Sequence, residues 1–335
     1  MKENYLSHLS QFVGNKLPTG LAKRDFFTAI IGTKPSKGAR SPSLWNRCYK
    51  ELNLNAEMIA LDVKLSRLDK VMQILSKIEA FQGGSCAVPH KTKILKFMDF
   101  IDTEAELSEA TNCFFKNNSF KFEATNTDGQ GAIKSLENLL TKKYLSDSKV
   151  LIIGLGGAGK AVASSIALKQ SNKGHLYISN RNKRPLEDVF RKLKKVSNIS
   201  KIKFPPEKDF LNKVNLIINA TSIGYQENLN LINYNPIGLI DNLKMKNFNQ
   251  SLFNNHQDSL DKMLSLKEKK IFFDVIYQPL KSNFLATAEL NGHVILGGLE
   301  MNKFQAALGF KKVNQKYISK KISTKKILSI MSKND

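Results

Sequence analysis

The sequence predicts an α/β protein with a doubly wound parallel sheet in its middle and a second α/β unit ahead of it. Three observations carry this. Short β-rich runs alternate with helical stretches through the middle of the chain. A glycine cluster at 154–159 falls between the first of those strands and an alanine-rich helix. The first third of the chain has an alternation of its own.

In that first third, 26–32 is an apolar run expected as a strand, and Pro42 sits at the start of an expected helix over 42–52. A strand follows at 56–64, then an amphipathic helix at 65–78 and a strand at 81–88. Residues 113–122 read as a hairpin turning at Asn117-Asn118. In the middle, 149–153 is a strand, 158–169 a helix and 175–179 a strand. Pro185 is expected to open a charged helix reaching about residue 195, and 214–220, 270–277 and 293–297 are further strands. Residues 226–269 are polar, rich in Asn and weakly periodic. That is too long for an ordinary loop, so an insertion with one or two helices of its own is expected.

The 335 residues suffice for roughly two domains. Hydrophobic residues make up 41% and charged ones 24%, which excludes a disordered or collagen-like chain. No apolar run reaches the roughly 18 residues of a membrane span, and residues 1–17 lack an apolar leader, so a cytoplasmic protein is expected. Three scattered cysteines (Cys48, Cys86, Cys113) supply neither a disulfide framework nor a metal site, and no metal is expected. Lys and Arg outnumber Asp and Glu by 52 to 29, a net charge of +23. Such a field favours anionic ligands. The cations are spread along the whole chain beside many Asn and Ile, so nucleic acid is not the expected partner.

Gly154-Leu155-Gly156-Gly157-Ala158-Gly159 matches G-x-G-x-x-G after a strand and at the opening of a helix. Glycines there let the backbone approach a pyrophosphate, whose charge the helix N-terminus stabilises. NAD sites usually carry an acid about 20 residues on, bonded to the ribose hydroxyl. Here that stretch reads Ser179-Asn180-Arg181-Asn182-Lys183-Arg184, with three cations and no acid. A 2′-phosphate is attracted to such a place, so NADP is the expected cofactor. The competing reading is a basic helix start with solvated side chains.

Three further segments are unusual for loops: Val88-Pro89-His90-Lys91, Thr125-Asn126-Thr127-Asp128-Gly129, and Tyr277 with Pro279. Singly, each is ordinary, since Lys91 can be solvated and Asp128 a plain N-cap. Together, and with Ser41-Pro42, Asn46, Ala110-Thr111-Asn112, Asn219-Ala220-Thr221, Asp274 and Gly298-Leu299-Glu300-Met301 with Gln305, they follow one another in a familiar order. From about residue 26 to 310 the chain resembles the shikimate dehydrogenase family.

The resemblance implies a fold of two parts. An N-terminal α/β substrate-binding and catalytic domain covers 1–130 and is completed by 299–335. A Rossmann-type doubly wound NADP-binding domain covers 131–298. It implies reversible, NADP-dependent oxidation of a ring hydroxyl on a carbocyclic acid, with Lys91 and Asp128 as the catalytic pair. A proton must be exchanged with the hydroxyl while hydride moves, and a lysine oriented by a carboxylate suits that task. Ser41, Asn112, Tyr277 and Gln305 would bind substrate. Gly154, Gly156, Gly157, Ala158, Gly159, Asn180, Arg181, Lys183, Arg184, Thr221, Gly298 and Met301 would bind cofactor.

The chain departs from the family pattern in places. The family's Ser-x-Ser-Pro is here Ala39-Arg40-Ser41-Pro42, and its Asn-Val-Thr is Ser85-Cys86-Ala87, so two hydroxyls are lost. One extra residue between Gly32 and Ser41 makes Ser36 a stand-in for the first. The 226–269 stretch exceeds the usual connection. Three functions compete: a shikimate dehydrogenase proper, a paralogue for quinate or a related carbocyclic acid, and an inactive dinucleotide-binding protein. Against the last stand Lys91, Asp128, Asn112 and Gln305. The basic tail, with Ile318, Ile322 and Ile330 at near-helical spacing, is expected as a helix packed on the substrate domain. Monomer and homodimer both remain open.

Overall fold

A computed structural model describes residues 2–240 and 248–333. The chain divides into two compact units, Met1–Thr127 with Lys303–Asp335, and Asp128–Asn302. Both boundaries fall inside helices, Thr127–Leu139 and Gly298–Val313, so no change of composition marks them.

The first unit is built on a six-stranded sheet of β1 (Phe26–Gly32), β2 (Ala56–Asp62), β3 (Phe81–Cys86), β4 (Phe100–Ile101), β5 (Cys113–Lys116) and β6 (Phe122–Thr125), in the order β2-β1-β3-β5-β6-β4. β1 runs parallel to β2 and β3, while β5 is antiparallel to β3 and β6. All seven residues of β1 are buried, as a central parallel strand covered on both faces requires. On one face Phe27, Ile31, Phe81 and Phe114 pack with Leu6 and Leu9 of helix Lys2–Ser10 and with helix Leu68–Lys77. On the other, Trp45, Cys48 and Tyr49 of helix Ser41–Glu51 meet Phe310, Ile327, Ile330 and Met331.

The second unit holds an all-parallel sheet of β7 (Lys149–Ile153), β8 (His175–Ser179), β9 (Ile199–Ile202), β10 (Leu216–Asn219), β11 (Ile271–Asp274) and β12 (Val294–Leu296). Its order is β12-β11-β10-β7-β8-β9. Numbered from β7 this is 6-5-4-1-2-3, the doubly wound arrangement whose strand order reverses beside the first strand. Every residue of β10 and β11 is buried.

Several elements differ from expectation. The helix at 65–78 begins with a 3-10 turn, Leu65–Arg67, and is α-helical only over Leu68–Lys77. Helix Lys183–Leu193 starts two residues before Pro185, which therefore stands third, still within the first turn where its missing N–H costs nothing. The hairpin's second strand continues to Thr125. Helix Thr324–Met331 takes up Ile330 of the tail, whereas Ile318 and Ile322 lie ahead of it, Ile318 buried in the cluster around Trp45 and Phe310 and Ile322 packed against it. The insertion contributes one described helix, Phe248–Leu264, over a small cluster of Ile223, Leu231 and Tyr234; residues 241–247 of it lie outside the described residues.

Candidate active site

The first unit gathers Asn112, Thr127 and Gln305, three residues far apart in sequence, into one hydrogen-bonded cluster. The Asn112 amide donates to Thr127 Oγ1 at 2.9 Å and to Gln305 Oε1 at 3.1 Å. Its oxygen accepts from the Thr127 backbone N–H at 2.7 Å, so both ends of the amide are used. The Thr127 hydroxyl reaches the Gln305 carbonyl at 3.1 Å. Asn112 is buried and Gln305 half-buried, a braced polar group with one partly open end.

Lys91 lies in the helical turn His90–Lys93, and its carbonyl accepts from the N–H of Thr111, the residue before Asn112, at 2.9 Å. The lysine is thereby tied by backbone to the amide cluster. Burial pushes the neighbouring Cys86 thiol up to about 12, and the Lys91 ammonium pulls only weakly the other way. A thiol held so far from ionisation is a packing group.

Other residues of the same motifs lie elsewhere in the first unit. Ser41 is the first residue of helix Ser41–Glu51 and is half-buried. Asn46 is spent on backbone: its amide donates to the Met58 carbonyl at 2.9 Å and accepts from the Met58 N–H at 2.6 Å, fastening the helix to edge strand β2. Ser36 is not a free stand-in for a lost substrate hydroxyl, because its Oγ donates to Asp62 Oδ2 at 2.5 Å and its N–H to Asp62 Oδ1 at 2.9 Å. Ala39 and Ala87 are partly buried against the apolar cluster around Trp45.

Asp128 opens the second unit. It is buried, in the first turn of helix Thr127–Leu139 rather than at its cap. The glycine after it answers to packing. A Cβ on Gly129 would lie 2.9 Å from the Ala161 carbonyl carbon and closer still to Ser165 Oγ, so only glycine lets this helix approach helix Gly157–Lys169.

The glycine loop follows β7. Gly154 has φ +95°, and a Cβ there would sit 2.6 Å from Thr221 Cγ2 and 2.8 Å from the Thr221 nitrogen. Gly156 and Gly157 have no heavy atom within 4 Å of the same construction, which leaves their backbone open at the helix start. The Leu155 N–H donates to Asn180 Oδ1 at 2.9 Å, so Asn180 braces the loop from the end of β8. Arg181, Lys183 and Arg184 are exposed just beyond. An open glycine cradle with cations and no acid after β8 fits NADP, including its 2′-phosphate.

A buried network backs this loop. Thr221 donates through its N–H (3.0 Å) and hydroxyl (2.7 Å) to Asn219 Oδ1. The Asn219 amide donates to Asp274 Oδ1 at 3.1 Å, which also accepts the Ile276 N–H at 3.0 Å, while Ser282 Oγ donates to Asp274 Oδ2 at 2.5 Å. Asp274 is fully buried, and desolvation outweighs these three donors, raising its carboxyl to about 6. Ser282 is a residue the sequence did not single out. Nothing local in its surroundings marks it as a partner of Asp274.

Gly298 donates its N–H to the Ile276 carbonyl at 3.1 Å and begins helix Gly298–Val313, which carries buried Met301 in the second unit and Gln305 in the first. Tyr277 is half-buried in the second unit, within electrostatic reach of Tyr225. Among the described residues no group of three or more His, Cys, Asp or Glu could hold a metal ion. Nor is any described helix long and apolar enough to cross a membrane.

Residues 30–114 match the profile of the shikimate dehydrogenase substrate binding domain, and 137–228 that of shikimate / quinate 5-dehydrogenase. A Pelagibacter ubique protein named shikimate dehydrogenase (NADP(+)) is 31% identical over 284 residues, covering 84% of this chain and 91% of the relative. One of the same name from Methanocaldococcus jannaschii is 30% identical, with 85% and 90% covered. The crystal structure of a Listeria monocytogenes shikimate 5-dehydrogenase with shikimate and NAD superposes with a TM-score of 0.74 at 21% identity, over 95% of this chain and 99% of that one.

Proposed function

Because this chain belongs to the shikimate dehydrogenase family, we propose that it is an NADP-dependent oxidoreductase interconverting 3-dehydroshikimate and shikimate, and thus a chorismate-pathway enzyme. The observation that carries the reading is the braced Asn112–Thr127–Gln305 cluster tied through Thr111 to Lys91. Residues 1–130 with 299–335 form the substrate-binding and catalytic domain, and 131–298 the cofactor domain.

Asn112 and Gln305 hold ring hydroxyls, Ser41 the carboxylate, and Tyr277 lines the substrate. Lys91 Nζ takes the hydroxyl proton when shikimate is oxidised and returns it to the carbonyl oxygen on reduction; Asp128 orients the ammonium. Gly154, Gly156, Gly157, Ala158 and Gly159 present backbone to the pyrophosphate, with Asn180 and Thr221 bracing them and Gly298 and Met301 beside the nicotinamide. Arg181, Lys183 and Arg184 attract the 2′-phosphate. NADP supplies the hydride-transfer chemistry when bound. The protein works in the cytoplasm as a monomer or homodimer, without nucleic acid or membrane.

A second reading, altered ring preference towards quinate or a related acid, is favoured by Ala39 and Ala87, which replace two hydroxyls with methyls. The main reading is tested by Lys91→Ala. A lost proton-transfer group lowers kcat by on the order of a hundred-fold or more. NADP affinity, read by titration calorimetry, stays unchanged. Activity retained in Lys91→Ala removes this lysine from the chemistry.

A further inference from the structure

At the N-terminal ends of β1 and β3 lies a cavity of about 550 Å³ that the chemistry above does not use. Asp25 precedes β1, Ala80 precedes β3, and both line it. The two parallel strands lead away from it, and the segments carrying Ser41 and Lys91 follow their other ends. The length of β1 separates the two ends by about 20 Å. The volume falls within the about 300–1,000 Å³ of small-molecule sites.

Three features of the wall call for a ligand. Gln82 of β3 lines the cavity, is only 5% exposed, and spends its amide nitrogen on the Glu79 carbonyl at 2.8 Å. Its amide oxygen has no hydrogen-bond partner among the described residues, although an acceptor so deeply placed is ordinarily satisfied. The second feature is Phe120 of the β5–β6 hairpin, which is 57% exposed with φ +57°. Its N–H closes a turn on the Asn117 carbonyl at 3.1 Å, which leaves Phe120 at the left-handed position that glycine ordinarily fills. A bulky aromatic kept there against its backbone preference points to a binding role. The third is charge. Lys77 and Lys316 line the cavity together with Asp25 and Glu79, and among the described residues none of the four has an ion-pair partner. Lys316 Nζ donates to the Asn117 carbonyl at 2.6 Å and lies 5.7 Å from the Phe120 ring centroid, with further protons to give. The buried Lys116, by contrast, is spent on the carbonyls of Leu75, Ser76 and Ile78.

We propose that this cavity binds an aromatic α-amino acid. The ring packs on Phe120 and on Tyr317, which is fixed by its stack on Phe26 with centroids 3.8 Å apart. The carboxylate is taken by Lys77 and Lys316, and the ammonium by the Gln82 amide oxygen with the Asp25 and Glu79 carboxylates. A phosphate or other plain anion would meet the two acids, and a plain amine the two lysines. An aliphatic zwitterion would leave Phe120 without a partner. Only a ligand with both charges and a ring uses the whole wall.

Ligand-observed NMR titration of the wild-type protein with L-phenylalanine, L-tyrosine and L-tryptophan tests this. At least one should saturate with a Kd of about 1 mM or tighter, as expected for a dozen or so non-hydrogen atoms with both charges paired. The analogues that lack one charge (phenethylamine and 3-phenylpropionate for L-phenylalanine) should bind about ten-fold more weakly, and so should L-alanine, which lacks the ring. Phe120→Gly suits the left-handed backbone and keeps the fold, yet should weaken the amino acid about ten-fold, as should Lys316→Met. No saturation by about 10 mM with any of the three amino acids would overturn the proposal. So would a one-charge analogue or L-alanine that binds as tightly as the aromatic amino acid, or wild-type affinity in either variant. All of these are binding measurements, so none bears on the dehydrogenase reading, which activity alone decides.

Discussion

Asp274 offers the sharpest test of how the cofactor side of the site is supported. Its carboxyl is fully buried and its pKa is raised to about 6 from an ordinary 3.8, because burial outweighs the donors from Asn219, Ile276 and Ser282. The folded protein therefore holds this proton more tightly than the unfolded chain does. The corresponding stability is full well below pH 4 and is lost as pH rises through about 6. That displacement is worth about 3 kcal/mol. Asp274→Asn keeps the shape, accepts from Asn219 and Ile276, and can donate to the Ser282 oxygen. It carries no charge at any pH. Urea unfolding should find the variant close to wild type near pH 4 and more stable by up to about 3 kcal/mol above pH 7. Asp274→Ala instead strands three buried donors and should cost several kcal/mol, at about 1–3 kcal/mol for each unsatisfied group. Its NADP affinity should fall as Asn219 releases Thr221, whereas the Asn variant keeps it. If Asp274→Asn destabilises the protein at pH 7.5 as severely as Asp274→Ala, the ionised carboxylate is required and this account of the network is wrong.

Arg181→Ala should weaken NADP by about ten-fold or more, from the roughly 1.5–3 kcal/mol of a hydrogen bond to a charged group, and leave NAD nearly unchanged; equal losses for both cofactors would remove Arg181 from the 2′-phosphate. Gly154→Ala places a side chain at φ +95°, costing about 1–2 kcal/mol, with its Cβ 2.6 Å from Thr221 Cγ2. It should lower the melting temperature and abolish measurable NADP binding, and normal binding would show that the loop has room to give. Ala39→Ser with Ala87→Thr should lower the KM for shikimate by about ten-fold if the missing hydroxyls matter to a charged or polar substrate group. An unchanged KM in the double variant, beside ordinary affinity in the wild type, ends the idea of an altered preference.

The parts of the fold legible in the sequence are those where local and global demands coincide. Phe26–Gly32, Lys149–Ile153 and His175–Ser179 are strands over the same residues that the pattern marks, because apolar runs in parallel sheets are buried on both faces. The glycine loop is legible for a similar reason, since Gly154 needs a conformation that other residues avoid. Edge elements are not. β9 is only partly buried and carries Lys201, and β4 is two exposed residues, so neither shows a strong pattern. The site divides in the same way. Lys91 and Asp128 stand out through the company they keep in the sequence. The bracing of Asn112 joins positions 112, 127 and 305, which only tertiary structure brings together. Other motif residues owe their identity to contacts that the sequence does not show: Gly129 to helix packing and Asn46 to the β2 backbone, while Ser36, offered as a stand-in for a lost hydroxyl, is engaged by Asp62.

The central claim is that this chain oxidises shikimate with NADP, and one measurement addresses it directly: initial rates of the purified protein against a matrix of shikimate and quinate with NADP and NAD. The highest kcat/KM is expected for shikimate with NADP, at least about ten-fold above NAD from a single charged contact to the 2′-phosphate. No NADP reduction with shikimate, or equal or faster turnover with NAD, would contradict it.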